Sequence, residues 1–540
     1  MKKIAILVLV IIIIGLVYSN SLSNSFIWDD FLVIVDNNFI KSWKNFPLVF
    51  TDSYLSPFVK RGCCFFVDAS SGSGETSYRP VVTLSYFLDY SLWKLNPFGY
   101  HLTSLILHMI NALLVYFLAN LLIKNRQAAL LGALLFALHP VNSEAVNVIA
   151  FREDLLAFLF YLFSFLLYLK SSSGGQGKSP WFYLLSLASF FLALFSKESA
   201  VTLPLVIILY DCYFSGGGRE ILVRFKQRYL GYFGVLVFYI WVRFFLITNN
   251  TEPALGYLGG SFYTNFLAMF RVVGEYIKWM IFPAGISAIP SNQSYLVFGS
   301  LFNPAVLFSI GLIIASFAAI IKTYKSSKEI SFFMLWFFLA LLPVSNIVPI
   351  PNYIASRYLY LPAAGFCFLV AILLNKTAAL RVFSSGLAII ILVSYSGITF
   401  ISNFTWRNNL VFYSKMTREF PENALAHLDL GDAFKKRGLP ERAISEYKTA
   451  ISLNPDLGEA YNNLGATLGD AGRHKEAIEC FMQGLEIAPD YLKLYDNLAV
   501  TYTRIKEWRQ ARKSWEKTLQ IDPQYKAAIE NLRKLKEWGY

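Results

Sequence analysis

Long apolar runs separated by short basic clusters fill the chain up to about residue 402. A helix needs about 20 apolar residues to cross the hydrocarbon of a bilayer. Runs near that length lie at 4–20, 102–123, 128–148, 155–170, 181–196, 200–214, 230–248, 303–321, 330–348, 359–375 and 382–402. The pattern predicts eleven membrane helices. The Lys/Arg clusters Lys2/Lys3, Lys124/Arg126, Lys170/Lys178, Arg219/Arg224/Lys226/Arg228, Lys322/Lys325/Lys328 and Lys376/Arg381 fall on alternate connections. All are cytoplasmic if the N-terminus is inside, as the positive-inside rule requires. An odd span count then exports the C-terminus. The run 263–282 carries Arg271, Glu275 and Lys278 at helical spacing, and counting it as a span would reverse every later cluster. It is predicted to lie in the interface or re-enter from the outside.

The pattern changes at about Asn403. Pro421, Pro455, Pro489 and Pro523 recur every 34 residues, the period of tetratricopeptide (TPR) repeats. Gly431, Gly465 and Ala499 recur where the first helix of a repeat must approach the second. Ala443, Ala477 and Ala511 recur on the facing helix, and Tyr447, Phe481 and Trp515 are predicted to fill the gap between repeats. Repeats are placed at 424–457, 458–491 and 492–525, with a polar capping helix at about 526–537. Two domains follow: 1–405, membrane-embedded with an outer loop at 21–98, and 406–540, the TPR array. The fold class is all-α, a polytopic membrane bundle followed by an α-solenoid.

Composition agrees. Hydrophobic residues make up 56% of the chain and charged residues 15%, against roughly 25% charged in soluble domains. Mean hydropathy is +0.47. The net charge of +13 is read as loop Lys/Arg facing anionic lipid, with no compact basic domain for nucleic acid. The five cysteines, Cys63 and Cys64 adjacent and the others scattered, make neither a zinc spacing nor a disulfide framework. The run Ile4–Val17 with no A-x-A site after it reads as a retained anchor. Ser70–Gly74 and Ser171–Gly175 are polar linkers without assigned chemistry. Asn249-Asn250-Thr251, Asn292-Gln293-Ser294 and Asn403-Phe404-Thr405 match glycosylation acceptors.

Ionisable residues beside membrane helices are candidates for function because burying them is costly. On the outer side of this topology five groups gather: Trp28-Asp29-Asp30; Tyr78-Arg79-Pro80; His139 to Glu144, continuing to Arg152-Glu153-Asp154; Lys197-Glu198; and Ser356-Arg357-Tyr358, continuing to Pro362. Adjacent carboxylates raise one another's pKa, which suits a base or acid. Glycosyl transfer from a lipid phosphate needs a base for the acceptor hydroxyl and cations for the departing phosphate. Asp29 or Asp30 suits the first role. Arg79, Arg152, Lys197 and Arg357 suit the second, with His139, Glu144, Asp154, Glu198 and Tyr358 in support. Each also has a plain structural reading. The acids suit a cap or solvated turn, Arg152 a salt bridge with Asp154, and Lys197-Glu198 a snorkelling span end. Arg357 suits an interfacial anchor and His139 a helix end before Pro140.

Taken in order, Trp28-Asp29-Asp30, Tyr78-Arg79-Pro80, Gly99-Tyr100-His101-Leu102, His139-Pro140-Val141 with Glu144-Ala145-Val146 and Arg152, Lys197-Glu198, Arg357-Tyr358-Leu359-Tyr360 and then TPRs resemble the transmembrane-and-TPR protein O-mannosyltransferases and their prokaryotic relatives. The resemblance implies a GT-C glycosyltransferase bundle. It implies a polyprenyl-phosphate sugar donor, mannose first, used on the outer face of the cytoplasmic membrane. The reaction would be inverting, with the catalytic carboxylate in the Asp29-Asp30 pair and a polypeptide acceptor or partner held by the TPR groove. It argues against a required metal, although Asp29, Glu144 and Asp154 form an alternative Mg²⁺ or Mn²⁺ set. Two departures stand out: the array of three repeats is shorter than in animal members, and the run Arg152-Glu153-Asp154 has an acid where a small residue is usual. A membrane-tethered TPR scaffold for envelope assembly, and a transferase acting on lipid or glycan, are the alternatives.

Overall fold

The computed structural model describes residues 2–50, 78–172, 180–214, 228–246, 256–286, 296–350, 352–376 and 381–540. Cys63, Cys64, the linker 70–74, residues 173–175, Lys178, Arg219, Arg224, Lys226 and the acceptor motifs at 249–251 and 292–294 lie outside these. The chain divides into two compact units, Met1–Asn408 and Asn409–Tyr540. Among the described residues all regular structure is helical.

Local chemistry sets the helix ends in the first unit. Helix α1 is Lys2–Val17, and α2, Pro80–Trp93, lies within the expected outer loop. Helix α3, Pro97–Ile123, starts with proline at its first position and with the Asn96 side chain accepting from the Phe98 N–H, both start signals. Helix α4, Arg126–Leu138, is capped by Asn125. It stops at His139-Pro140, because proline removes a backbone donor and clashes with the preceding turn. The chain bends by 47° there and continues into α5, Ser143–Asn147. A turn at Ile149–Phe151 leads into α6, Arg152–Ser172, then α7, Pro180–Leu194, α8, Leu203–Phe214, and α9, Leu230–Trp241. The remainder is α10, Phe262–Ile281, α11, Pro304–Ser326, α12, Lys328–Leu341, α13, Tyr360–Lys376, and α14, Arg381–Asn403.

Five stretches of these helices are long and apolar enough to cross a membrane: Pro97–Ile123, Ile149–Ser171, Pro304–Ser326, Ser356–Lys376 and Ser384–Trp406. The bent pair α4–α5 makes a sixth, and Ile4–Val17, Pro180–Leu194 and Leu230–Phe245 are shorter apolar helices. The predicted spans at 200–214 and 330–348 correspond to helices of only 12 and 14 residues, about 20 Å at 1.5 Å per residue. Among the described residues, length and composition alone therefore do not reach eleven. Many large apolar side chains face outward, among them Leu16, Trp181, Val237, Ile321, Ile389 and Ile401. Lipid is the solvent in which such a surface is stable, and the first unit is a multi-pass membrane bundle. Helix α10 carries its charges on one face, where Glu275 pairs with Arg271 and Lys278, and buries Leu267, Val272, Tyr276 and Met280 on the other.

The second unit opens with α15, Asn409–Glu419. Three helix pairs follow: α16, Ala424–Lys436, with α17, Pro440–Leu453; α18, Gly458–Asp470, with α19, His474–Ile487; and α20, Leu492–Arg504, with α21, Trp508–Ile521. Helix α22, Lys526–Glu537, closes the unit. The periodic aromatics do not sit where expected. Tyr447 packs on Gly431 and Phe481 on Gly465, so each fills the gap inside its own repeat. A Cβ on either glycine would lie 2.5 or 2.6 Å from the ring. Successive repeats share one apolar core, from Leu428 and Ile444 through Leu464 to Leu494 and Leu498, and polar side chains add to it: Asn463 donates to Asp432 (3.0 Å) and Asn497 to Asn462 (2.8 Å).

Gly465→Ala therefore forces the Phe481 ring from its seat. It is expected to destabilise the 409–540 unit by about 1–3 kcal/mol, a typical overpacking cost, lowering its melting temperature by several degrees. Gly438→Ala, at a positive-φ position with open space around it, is the control for backbone strain without a clash.

Candidate active site

The site is built around the turn Ile149–Phe151 and the loop that lies on it. Ile27 and Trp28 lead into the acid pair. Trp28 has φ +46°, a left-handed conformation costing a non-glycine residue roughly 1–2 kcal/mol. The two acids then take different surroundings. Asp30 is fully buried. One carboxylate oxygen accepts from the Ile27 N–H (3.1 Å) and the other from the Ala150 N–H (2.7 Å). Asp29 is 8% exposed, and its buried Oδ2 has no hydrogen-bond partner among the described residues.

Burial raises both carboxyls. Asp29 is pushed up to about 8, chiefly by loss of water; Arg357 opposes the rise, while Asp30, Glu153 and Glu144 add to it. Asp30 is pushed up to about 7 by burial, against the pull of the Ile27 and Ala150 N–H groups. Asp30 is thus engaged by backbone donors, whereas Asp29 keeps an unpartnered oxygen.

Around Asp29 the charges form a connected set. Glu144, on α5, accepts from Arg357 Nη1 (2.6 Å), the Arg357 N–H (3.0 Å) and Ser356 Oγ (2.7 Å). The Arg357 guanidinium lies 3.9 Å over the Phe151 ring, against which Trp28 packs edge-on. Lys197 pairs with Asp154 (2.6 Å) and Glu153 (3.1 Å) and sits over the Tyr358 ring. Arg79 pairs with Glu153 and Glu198, and Glu198 also holds Arg243 at 3.1 Å. The structure thus joins into one region Asp29, Asp30, Arg79, Glu144, Asp154, Lys197, Glu198, Arg357 and Tyr358.

Two predicted residues lie apart. Arg152 is fully buried. Its guanidinium pairs with Asp89 (2.5 Å), donates to the Tyr100 carbonyl (2.9 Å) and lies over the Tyr86 and Tyr100 rings. It ties α6 to α2 and α3 rather than facing a phosphate, and its partner is not Asp154. His139 places Nε2 3.2 Å from the Met280 carbonyl and accepts from the Val141 N–H through Nδ1, the helix-end role. The alternative metal set is not assembled. Glu144 is engaged by Arg357 and Asp154 by Lys197, and no group of three His, Cys, Asp or Glu suited to a metal occurs among the described residues. Asn403 is not an open glycosylation acceptor either. Its amide nitrogen donates to the Val17 carbonyl (3.1 Å) and Asn20 (2.9 Å), and its oxygen accepts from Ser143 and Asn147.

The sequence reading passed over Asp89 and Arg243. Each carried one usable signal: Asp89 lies in the otherwise uncharged run Pro80–Trp93, and Arg243 inside a predicted span. A charge in such a place needs a partner.

Comparison with known proteins bears on both units. Residues 456–524 match the family model "Tetratricopeptide repeat", and residues 431–472 match "TPR repeat". The human protein O-mannosyl-transferase TMTC3 is 25% identical over 506 residues, taking in 84% of this chain and 53% of that protein. The Caenorhabditis elegans protein O-mannosyl-transferase F38B6.6 is 27% identical over 457 residues, 81% of this chain and 61% of that one. The human protein O-mannosyl-transferase TMTC1 is 25% identical over 515 residues, 83% and 55%. The chain thus spans little more than half the length of these relatives, and the resemblance read from its ordered motifs is borne out. Among solved structures, MamA is 26% identical over 25% of this chain and 79% of its own, with a TM-score of 0.24.

Removing one partner of a buried ion pair typically costs about 3–5 kcal/mol. Arg152→Gln is therefore expected to lower the melting temperature of the purified protein sharply, and adding Asp89→Asn to recover part of the loss. An unchanged melting temperature in the single variant would show that Arg152 does not brace the bundle.

Proposed function

We propose that this chain is a GT-C-type membrane glycosyltransferase. It moves a monosaccharide, mannose first, from a polyprenyl-phosphate donor to a hydroxyl of an exported protein. The relatives' name, protein O-mannosyl-transferase, supports the reaction class. The observation that carries the reading is Asp29, a buried carboxyl with one unpartnered oxygen that feels the fixed Arg357 guanidinium.

In the proposed reaction Asp29 takes the acceptor hydroxyl proton as that oxygen attacks the anomeric carbon. One carbon–oxygen bond forms, the bond to the lipid phosphate breaks on the opposite face, and the configuration inverts. No covalent sugar–enzyme intermediate forms. Negative charge grows on the departing phosphate, and Arg357, Lys197 and Arg79 are the fixed cations available to favour it. Each is already held by carboxylates, so their positions are set before substrate arrives. Asp30 holds the loop. The TPR unit supplies a surface for a polypeptide acceptor or partner. The site faces outward across the cytoplasmic membrane, with the N-terminus inside. A scaffold would gain nothing from a buried, unpartnered carboxyl, which costs stability.

Transfer from polyprenyl-phosphate-mannose to peptide acceptors tests the reading. Asp29→Asn is expected to lose activity by about 10²–10⁴-fold, the usual worth of a positioned base, with unchanged thermal stability. Asp30→Asn is expected to lower stability, because its amide N–H₂ meets a backbone donor where an acceptor is needed. Equal activity in Asp29→Asn and the parent protein overturns the assignment.

A base works in its ionised form, and the Asp29 carboxyl is raised to about 8. Turnover per bound donor is therefore expected to climb roughly tenfold per pH unit below that value and to level off above it. A profile already flat between pH 5 and 7, on the order of the free carboxylate's behaviour, would contradict it.

A further inference from the structure

The chain of ion pairs has a direction. Its buried end is Lys197, whose side chain is 6% exposed, and it passes through Glu153 to Arg79 at 10%. It ends at Glu198 and Arg243, 34% and 24% exposed. Arg243 is thus the most open cation of the network. It lies one turn beyond Tyr239, to whose hydroxyl Nη1 donates at 3.0 Å, and the same Nη1 faces Glu198. Among the described residues, the remaining donors of the guanidinium fork have no partner. Its neighbours on the same helix, Trp241, Phe244 and Phe245, are 47%, 63% and 69% exposed. Arg243 therefore stands where the apolar outer face of the bundle meets its charged interior.

A phosphate ester on a long apolar tail needs both features side by side. The tail requires an apolar surface. The phosphate requires a cation with donors to spare, and a guanidinium fork matches phosphate geometry. Glu198 is shared by Arg79 and Arg243, so a phosphate arriving at Arg243 leaves Glu198 paired with Arg79 rather than alone. Exchange of one anion for another keeps the charges compensated.

We propose that Arg243 is the docking residue for the phosphate of a lipid-tailed phosphate ester, which enters sideways along the Phe244–Phe245 face. This deepens the transferase reading and rests on it for the donor's identity. The geometry of the docking point does not depend on the sugar.

The test is binding of sugar-free polyprenyl phosphate to the full chain in nanodiscs, read by native mass spectrometry, with phosphatidylglycerol and inorganic phosphate as competitors. Losing a charge-assisted contact is expected to weaken binding at least about tenfold in Arg243→Gln, with Arg243→Lys intermediate. Inorganic phosphate should compete only at far higher concentration. If Arg243→Gln does not fold, Arg243→Lys and Phe244→Asn carry the test. Phe244→Asn should weaken the tailed ligand while leaving inorganic phosphate competition unchanged. Parent-like affinity in the Arg243 variants overturns the proposal. So does displacement by phosphatidylglycerol at equal concentration, which would make the site an ordinary phospholipid contact. Arg243-dependent binding without sugar transfer would instead refute the transferase reading and leave the docking site standing.

Discussion

The clamp made by Asp30 organises the first unit's candidate site. Its two oxygens take the N–H groups of Ile27 and Ala150, residues more than a hundred positions apart. That pins the loop after α1 onto the turn before α6. Trp28 is held against Phe151, Phe151 carries Arg357 on its face, and Asp29 is left beside them. The clamp and the Phe151 contact together hold Trp28 in its left-handed conformation. The acid pair is thus two unlike residues: one is a structural acceptor, and the other is kept short of partners.

Compensation is the second constraint. Every cation described around the site is matched by a carboxylate, and several carboxylates are shared: Glu153 between Arg79 and Lys197, Glu198 between Arg79 and Arg243. Buried charges are tolerable only when paired in this way. The same sharing makes the set rigid, since moving one side chain strands two others. A field that is already oriented needs little rearrangement when charge develops in a reaction. Asp29 is the exception, and its raised pKa follows from lacking what its neighbours have.

Much of this was legible in the sequence, and the failures are instructive. The acids at Asp29-Asp30, the arginine at Arg357 and the lysine at Lys197 stand out because charge beside apolar runs is rare. The 34-residue proline period announces the repeats directly. What a linear reading lacks is the partner. Arg152 sits two residues from Asp154, yet it pairs with Asp89 from another helix, because α6 turns the two side chains in different directions. The expectation that Tyr447 and Phe481 bridge repeats failed for a steric reason. The glycine opposite each ring lies in the same repeat, and the ring occupies the space that a Cβ would take. Counting apolar residues also overstates helix length near prolines and charges, as at His139-Pro140 and the short α8.

The two adjacent carboxyls differ in kind, and burial without a hydrogen-bond partner on Oδ2 holds Asp29 protonated near neutral pH. Infrared difference spectroscopy across a pH titration reads this directly through the C=O stretch of a protonated carboxyl. The expected result is a band that titrates away with a midpoint near 8, absent in Asp29→Asn. A spectrum in which that variant removes no such band, or in which the band titrates in the ordinary carboxylate range of about 4, would contradict it.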